Sequence, residues 1–289
     1  MKPRSARRTR RPQRAVSALA GSPDLNRSLK ACWQAFRGAI LKAPVGPLVV
    51  TLTGDSMRRI WMEHLARWSY YYDPVFLEAI SERLTTGREL TPEQMEYLKH
   101  LKNTGDDLRN FFLLFSTDHR VPRLMKSLVK MVGQIRDQVR LGELQRANAQ
   151  AQELLELMPR SGKIDWPKLE ADPVTRSRFL RGRIARMRRL LTRERLTAYD
   201  FHEVKKDFRL IHTVFLCLCP EEAQLPTGQD AFWGTKKLIK KMHQVLLEQK
   251  YKSAIKYRDT VIRLPEECRA HLLLVLDAIR VAGRAGKRA

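Results

Sequence analysis

A chain of 289 residues has room for one large or two modest domains. Its 43% hydrophobic and 8% aromatic content, with only 14 Gly and 14 Pro, excludes a wholly disordered, collagen-like or low-complexity protein. Charge is the anomaly: 55 Lys+Arg against 31 Asp+Glu leave a net of +24. The expected partner is therefore a polyanion such as nucleic acid or polyphosphate, or an anionic membrane surface.

In chain order, residues 1–25 open with Lys2, Arg4, Arg7, Arg8, Arg10, Arg11 and Arg14, no acid and two prolines. Such a block cannot bury itself and reads as a disordered basic arm. A helical N-terminal region follows over 26–97. Leu29, Cys32, Trp33, Phe36 and Ile40 recur at helical spacing until Pro44, Gly46 and Pro47 break the chain, and Met57, Ile60, Trp61, His64, Leu65 and Trp68 form a second stripe. Only 48–53 reads as strand. Asp73-Pro74, Thr91-Pro92 and Asp172-Pro173 are helix starts, each an N-cap side chain followed by proline, and Gln94 completes a capping box with Thr91. Asn103-Thr104-Gly105 reads as a helix break. Pro122 opens a helical run expected to reach Met158, where Pro159-Arg160-Ser161-Gly162 ends it. Further helices are expected from Thr197 or Asp200, from Asp230 and from Pro265, ahead of a basic tail over 283–289. The fold class is all-α, a bundle of eight to ten helices.

Several chemistries lack their spacing. Cys217 and Cys219, two apart, point to different sides of a helix, and no CxxC or HxxxH pair occurs, so neither a disulfide framework nor a metal site is expected. The longest uncharged stretches, 43–54 and 210–220, are too short to span a bilayer, and no apolar run of signal-peptide length follows the basic start. The expectation is a cytoplasmic protein without membrane insertion. No GxSxG, Walker A or GxGxxG pattern occurs, so neither enzyme activity nor a cofactor is expected. Asp106-Asp107 with Glu93 or Glu96 is a candidate metal cluster, although adjacent carboxylates more often cap a helix.

Positive charge is sorted by helix face. Arg176, Arg178, Arg181, Arg183, Arg186, Arg188, Arg189, Arg193 and Arg195 meet a single acid, Glu194, while Leu180, Ile184, Met187 and Leu191 form one narrow apolar stripe. With counter-charges missing from that helix, anion binding is expected at residues such as Arg183 and Arg186. In the next helix Phe201, Val204, Phe208, Ile211 and Phe215 make the buried stripe. His202, Lys205, Lys206 and Arg209 share another face with His212 at its edge, and Glu203 and Asp207 fall on a third. Lys236, Lys237, Lys240 and Lys241 then cluster opposite Leu238, Met242, Val245 and Leu246. Residues 173–258 hold 20 Lys+Arg against 8 Asp+Glu, a net of +12 and half of the molecule's excess.

His202-Glu203-Val204-Lys205 with Arg209, Ile211 and His212 resembles a helix of the conserved histidine α-helical domain (CHAD) family, His-x-x-Arg-x-x-x-Lys/Arg-x-Leu-Arg. Lys205 stands at the arginine and His212 at the last arginine. Ile239-Lys240-Lys241-Met242-His243-Gln244-Val245-Leu246-Leu247-Glu248 is similar to the family's following Leu-Lys-Lys-Leu-Gln-Asp-Leu-Leu-Gly-Glu segment, with Leu247 in place of glycine. Gly133-Gln134-Ile135-Arg136-Asp137 resembles its Gly-x-x-Arg-Asp, with Val139 where a second Asp is usual. Aligning Phe115 puts Lys99 at the histidine, Lys102 at the arginine and Arg109 at the final arginine; Asp106 and Asp107 then occupy positions that are basic in the family. The resemblance implies a bundle of two pseudo-repeated helical halves over 98–282, with the N-terminal helical region as an addition. It also implies basic inner faces that bind inorganic polyphosphate without catalysis.

Through that resemblance His202, Lys205, Arg209, Lys240 and Lys241 are the expected polyphosphate contacts, joined by Lys99, Lys102, Arg109 and Arg136; Lys206, Lys237, Arg183 and Arg186 join them on charge. His202 would gain charge, and ligand, as pH falls towards its ordinary range. Association with polyphosphate granules or the nucleoid would follow. The alternative is a protein binding RNA or DNA backbones, with Trp33, Trp61, Trp68 and Tyr70, Tyr71 and Tyr72 available to stack on bases, although core positions suit Trp61 and Trp68 better. A third reading makes Phe111, Phe112 and Phe115 the docking surface of a scaffold, although Phe at these positions is usually core.

Overall fold

Local cap chemistry starts the helices. A computed structural model describes residues 23–50, 63, 66, 68, 72–163, 171–218, 229–252 and 255–281. Among these are nine helices: α1 (Pro23–Lys42), α2 (Pro74–Thr85), α3 (Pro92–Phe115), α4 (Arg123–Arg140), α5 (Leu144–Leu157), α6 (Pro173–Leu191), α7 (Ala198–Leu218), α8 (Gln229–Tyr251) and α9 (Glu266–Ala278). Four short strands accompany them, β1 (Leu48–Val50), β2 (Leu196–Thr197), β3 (Val261–Ile262) and β4 (Ile279–Val281). The protein is all-α. Helix α1 begins inside the span expected as an arm; the rest of that arm, Trp61, Tyr70, Tyr71, Cys219 and the basic tail lie outside the described residues.

Asp73 caps α2 by accepting from the Phe76 N–H at 3.1 Å, and Thr91 and Gln94 exchange hydrogen bonds of 3.0 and 3.1 Å at the start of α3. Asp172 accepts from the N–H groups of Val174 and Thr175, and Thr197 and Asp200 form a reciprocal pair before α7. Each bond satisfies an amide that the first turn leaves without an intrahelical partner.

Two breaks differ from the sequence reading. The run expected from Pro122 to Met158 is two helices, α4 and α5, reversed at Gly142 (φ 73°). Gly142 N–H donates to Val139 O at 3.0 Å and Glu143 N–H to Gln138 O at 2.9 Å, a left-handed C-terminal cap that favours glycine. Conversely, α3 runs unbroken through Asn103-Thr104-Gly105. Gly105 is there for close approach: a Cβ on it would lie 2.7 Å from both Trp68 Cζ3 and Val129 Cγ2.

Helix α3 is the wall between two apolar cores. Leu98, Leu101, Leu108 and Phe112 pack with α2, α4 and α5, whereas Phe111, Leu114 and Phe115 pack with α1 and α6 to α9. Asn110, between them, donates to Thr213 Oγ1 of α7 at 2.9 Å in a fully buried bond. The region read as N-terminal feeds both cores: α1 lies on α8, β1 pairs in parallel with β4 (Leu48 opposite Ile279), and α2 lies on α5. Trp33, Trp68, Phe111, Phe112 and Phe115 are all buried, in keeping with core packing as the more frequent role of such side chains, and they are not available to stack on bases or to dock a partner. No described helix is long and apolar enough to cross a membrane.

Because Gly105 meets two rigid neighbours, Gly105→Ala is expected to overpack the wall and cost about 1–3 kcal/mol. Urea denaturation should show a lower midpoint at unchanged m-value.

Candidate functional site

The buried stripe Phe201, Val204, Phe208, Ile211 and Phe215 sets the rotation of α7. Its remaining faces are thereby divided. His202, Lys205, Arg209 and His212 turn towards α3 and α8, while Glu203 and Asp207 turn towards α6.

Asp106, 3% exposed in the middle of α3, is the centre of the first group. Its Oδ2 accepts from Lys102 Nζ at 2.7 Å and from Arg209 Nη1 at 2.5 Å, and its Oδ1 lies 3.3 Å from Arg109 Nη1. Burial alone would raise the carboxyl's pKa; Arg209, then Lys102 and Arg109, hold it well below the usual range. Arg209 also reaches the Asn103 carbonyl at 3.2 Å and Asp107 at 3.4 Å. Gly133 of α4 gives the Lys102 stem its room, since a Cβ there would come 3.0 Å from Lys102 Cε. Arg136, one turn on, lies within electrostatic reach of Asp106, and its buried Nε has no hydrogen-bond partner among the described residues.

Lys205 is half-buried and has no ion pair among the described residues. Burial first, then Lys102 and Arg209, with Lys240 adding and Asp106 only partly offsetting, push its ammonium down to about 8. Lys236 is pushed to about 8 as well, by burial and then by Arg209; it bonds to His212 Nε2 and lies 4.8 Å over the Trp233 ring. Lys237 and Lys240 are exposed on α8 and likewise have no ion pair among the described residues.

Behind the lysines, His202 Nδ1 lies 2.7 Å from His243 Nε2, with the two rings stacked, and Tyr257 Oη is 2.9 Å from the same nitrogen. Burial, reinforced by Lys205, lowers His202 to about 4 and His243 to about 2. His212 falls to about 3 through burial and Lys236. The expectation that His202 gains charge near its ordinary range is therefore corrected: the pair is neutral well below it, because it is buried among cations.

The sequence-assigned residues thus divide. Lys102, Arg109, His202, Lys205, Arg209 and Lys240 converge on the seam of α3, α7 and α8, with Arg136 and Lys237 at its margins. Lys241 lies on the α1 side of α8, near Cys32. Lys99 pairs with Glu96 at 2.5 Å and Lys206 with Glu203 at 2.8 Å. The reading of α6 as lacking counter-charges is corrected: Arg183 meets Asp207 at 3.3 Å, and Arg186 meets Asp207 at 2.6 Å and Glu203 at 3.2 Å. Arg188 and Arg193 pair with Asp277 and Asp200. The acids were visible as the third face of α7; that this face meets α6 was not.

Sequence reading also missed the role of Asp106, whose signal is Lys102, Asp106 and Arg109 at i, i+4 and i+7 of one helix face. Among the described residues no group of three His, Cys, Asp or Glu side chains is arranged to hold an ion, and Asp106 is engaged by Lys102, Arg109 and Arg209. Compared with protein-family models, curated proteins and solved structures, the chain matches none.

The three neutral histidines set an acid limit. Between pH 6.5 and about 4 the unfolded chain binds more protons than the folded one, so stability rises with pH there and is lost on acidification. Thermal unfolding followed from pH 6.5 to 4 is expected to show that loss, and His243→Asn is expected to give a shallower slope whatever its offset at neutral pH.

Proposed function

We propose that this protein binds inorganic polyphosphate, without catalysing its turnover, along the seam where α3, α7 and α8 meet. Lys205 carries the reading: a half-buried ammonium flanked by Lys102, Arg209 and Lys240, with no ion pair of its own among the described residues. Such a cation is held against both desolvation and repulsion, and an anion laid along the seam relieves both. The resemblance of His202, Lys205, Arg209 and the Lys240 segment to the CHAD family supports the same ligand.

Each phosphate would meet Lys or Arg heads through charge-assisted hydrogen bonds, and counterion release would make affinity fall steeply with salt. The nucleic-acid alternative keeps the charge but loses Trp33 and Trp68 as stacking platforms, because both are buried.

Long-chain polyphosphate is expected to outcompete duplex DNA of equal total charge in a titration run at two salt concentrations; equal or stronger DNA binding would favour the alternative. In the same assay, Lys205→Gln with Lys240→Gln is expected to weaken polyphosphate binding by about tenfold or more while leaving the melting temperature unchanged or raised, since a strained cation is removed. Unchanged affinity would take the ligand off this seam.

A further inference from the structure

We propose that Asp106 is an internal counter-ion that sets the charge density a ligand must exceed to occupy the seam, an inference that rests on the polyphosphate reading above. The position needs an explanation. Asp106 lies in mid-helix, away from any cap, and is buried, so neither helix termination nor solvation accounts for a carboxylate there. Both its oxygens instead face cations: Lys102 and Arg109 from its own helix and Arg209 from α7, at 2.7, 3.3 and 2.5 Å. Lys205 and Arg136 add further positive charge around it, while Asp107 lies 3.4 Å from Arg209, accepts from Thr213 Oγ1 at 3.5 Å and partly offsets Lys236. One carboxylate serves three cations directly and leaves an excess.

Two consequences follow. Without ligand, Asp106 ties α3 to α7 and holds three cationic heads towards one point. With ligand, the incoming anion has to draw those heads from a carboxylate that is already desolvated, fixed to the backbone and unable to leave. A sparse anion gains little from that exchange, whereas one that brings several phosphates to the same few ångströms gains enough to win it. Asp106 thereby discriminates by rejecting weaker competitors rather than by contacting the preferred ligand.

The test compares full-length wild type with Asp106→Asn, titrating tripolyphosphate, long-chain polyphosphate and duplex DNA at one low salt concentration. Duplex DNA, whose phosphates are more widely spaced, is expected to bind the variant about tenfold more tightly, and tripolyphosphate and long-chain polyphosphate to gain less, so that the preference over DNA narrows. Equal or weaker duplex DNA binding by the variant overturns the role of Asp106 while leaving polyphosphate binding by the wild type intact. If the variant does not fold alone, tripolyphosphate added during refolding is expected to restore its helical circular dichroism, and failure to restore it also overturns the proposal. Wild type and variant that both bind none of the three probes overturn the polyphosphate reading, and this inference with it.

Discussion

A buried carboxylate shared by more cations than it can neutralise is the interaction on which the site depends. Asp106 gives Arg209 of α7 a partner on α3, so the contact that joins two helices also gathers Lys102 and Arg109 at the same place. Removing a buried charge from such a set leaves its partners desolvated and mutually repelling, which costs far more than an exposed ion pair contributes. The balance here remains positive. Lys205 and Lys236 stand beside the set with depressed pKa values that Asp106 and Asp107, respectively, offset only in part. A surface that merely needed solubility would keep its lysines in water; this one carries them into the fold.

Packing makes the arrangement possible. Helix α3 is the common wall of both cores, so its position is fixed from two sides, and Gly105 lets Trp68 and Val129 press against it one residue before Asp106. From the other direction, the fully buried bond between Asn110 and Thr213 fixes how α3 crosses α7 one turn beyond. The seam is thus bracketed by contacts that do not involve ligand. Its cationic heads are held in register by the fold itself, which would lower the ordering cost of the proposed anion binding.

What the chain announced and what it concealed follow a common physical line. Helix starts were legible at Asp73, Thr91 and Asp172 because a cap is made by residues two or three positions apart. The reversal at Gly142 was hidden because the apolar period of α4 and α5 continues across it, and Gly105 misled because the same residue type serves turns and close packing alike. The face shared by His202, Lys205 and Arg209 was readable from spacing within one helix. Its partners were not. Arg186 meets Asp207 across 21 positions and Arg209 meets Asp106 across 103, so a sequence that looks short of counter-charge can acquire it from a neighbouring helix. Burial was equally invisible, and it is what keeps the imidazole of His202 neutral, with that of His243 beside it, where spacing alone suggested a proton switch at His202.

The state of one amine tests the account most directly. Heteronuclear NMR of the Lys205 side chain, titrated in the free protein and again with saturating long-chain polyphosphate, reads whether that cation is strained and what relieves it. The account predicts a value of about 8 in the free protein, rising towards that of an ordinary lysine when the polymer is bound. An ordinary value in the free protein, or no response to the polymer, would contradict it.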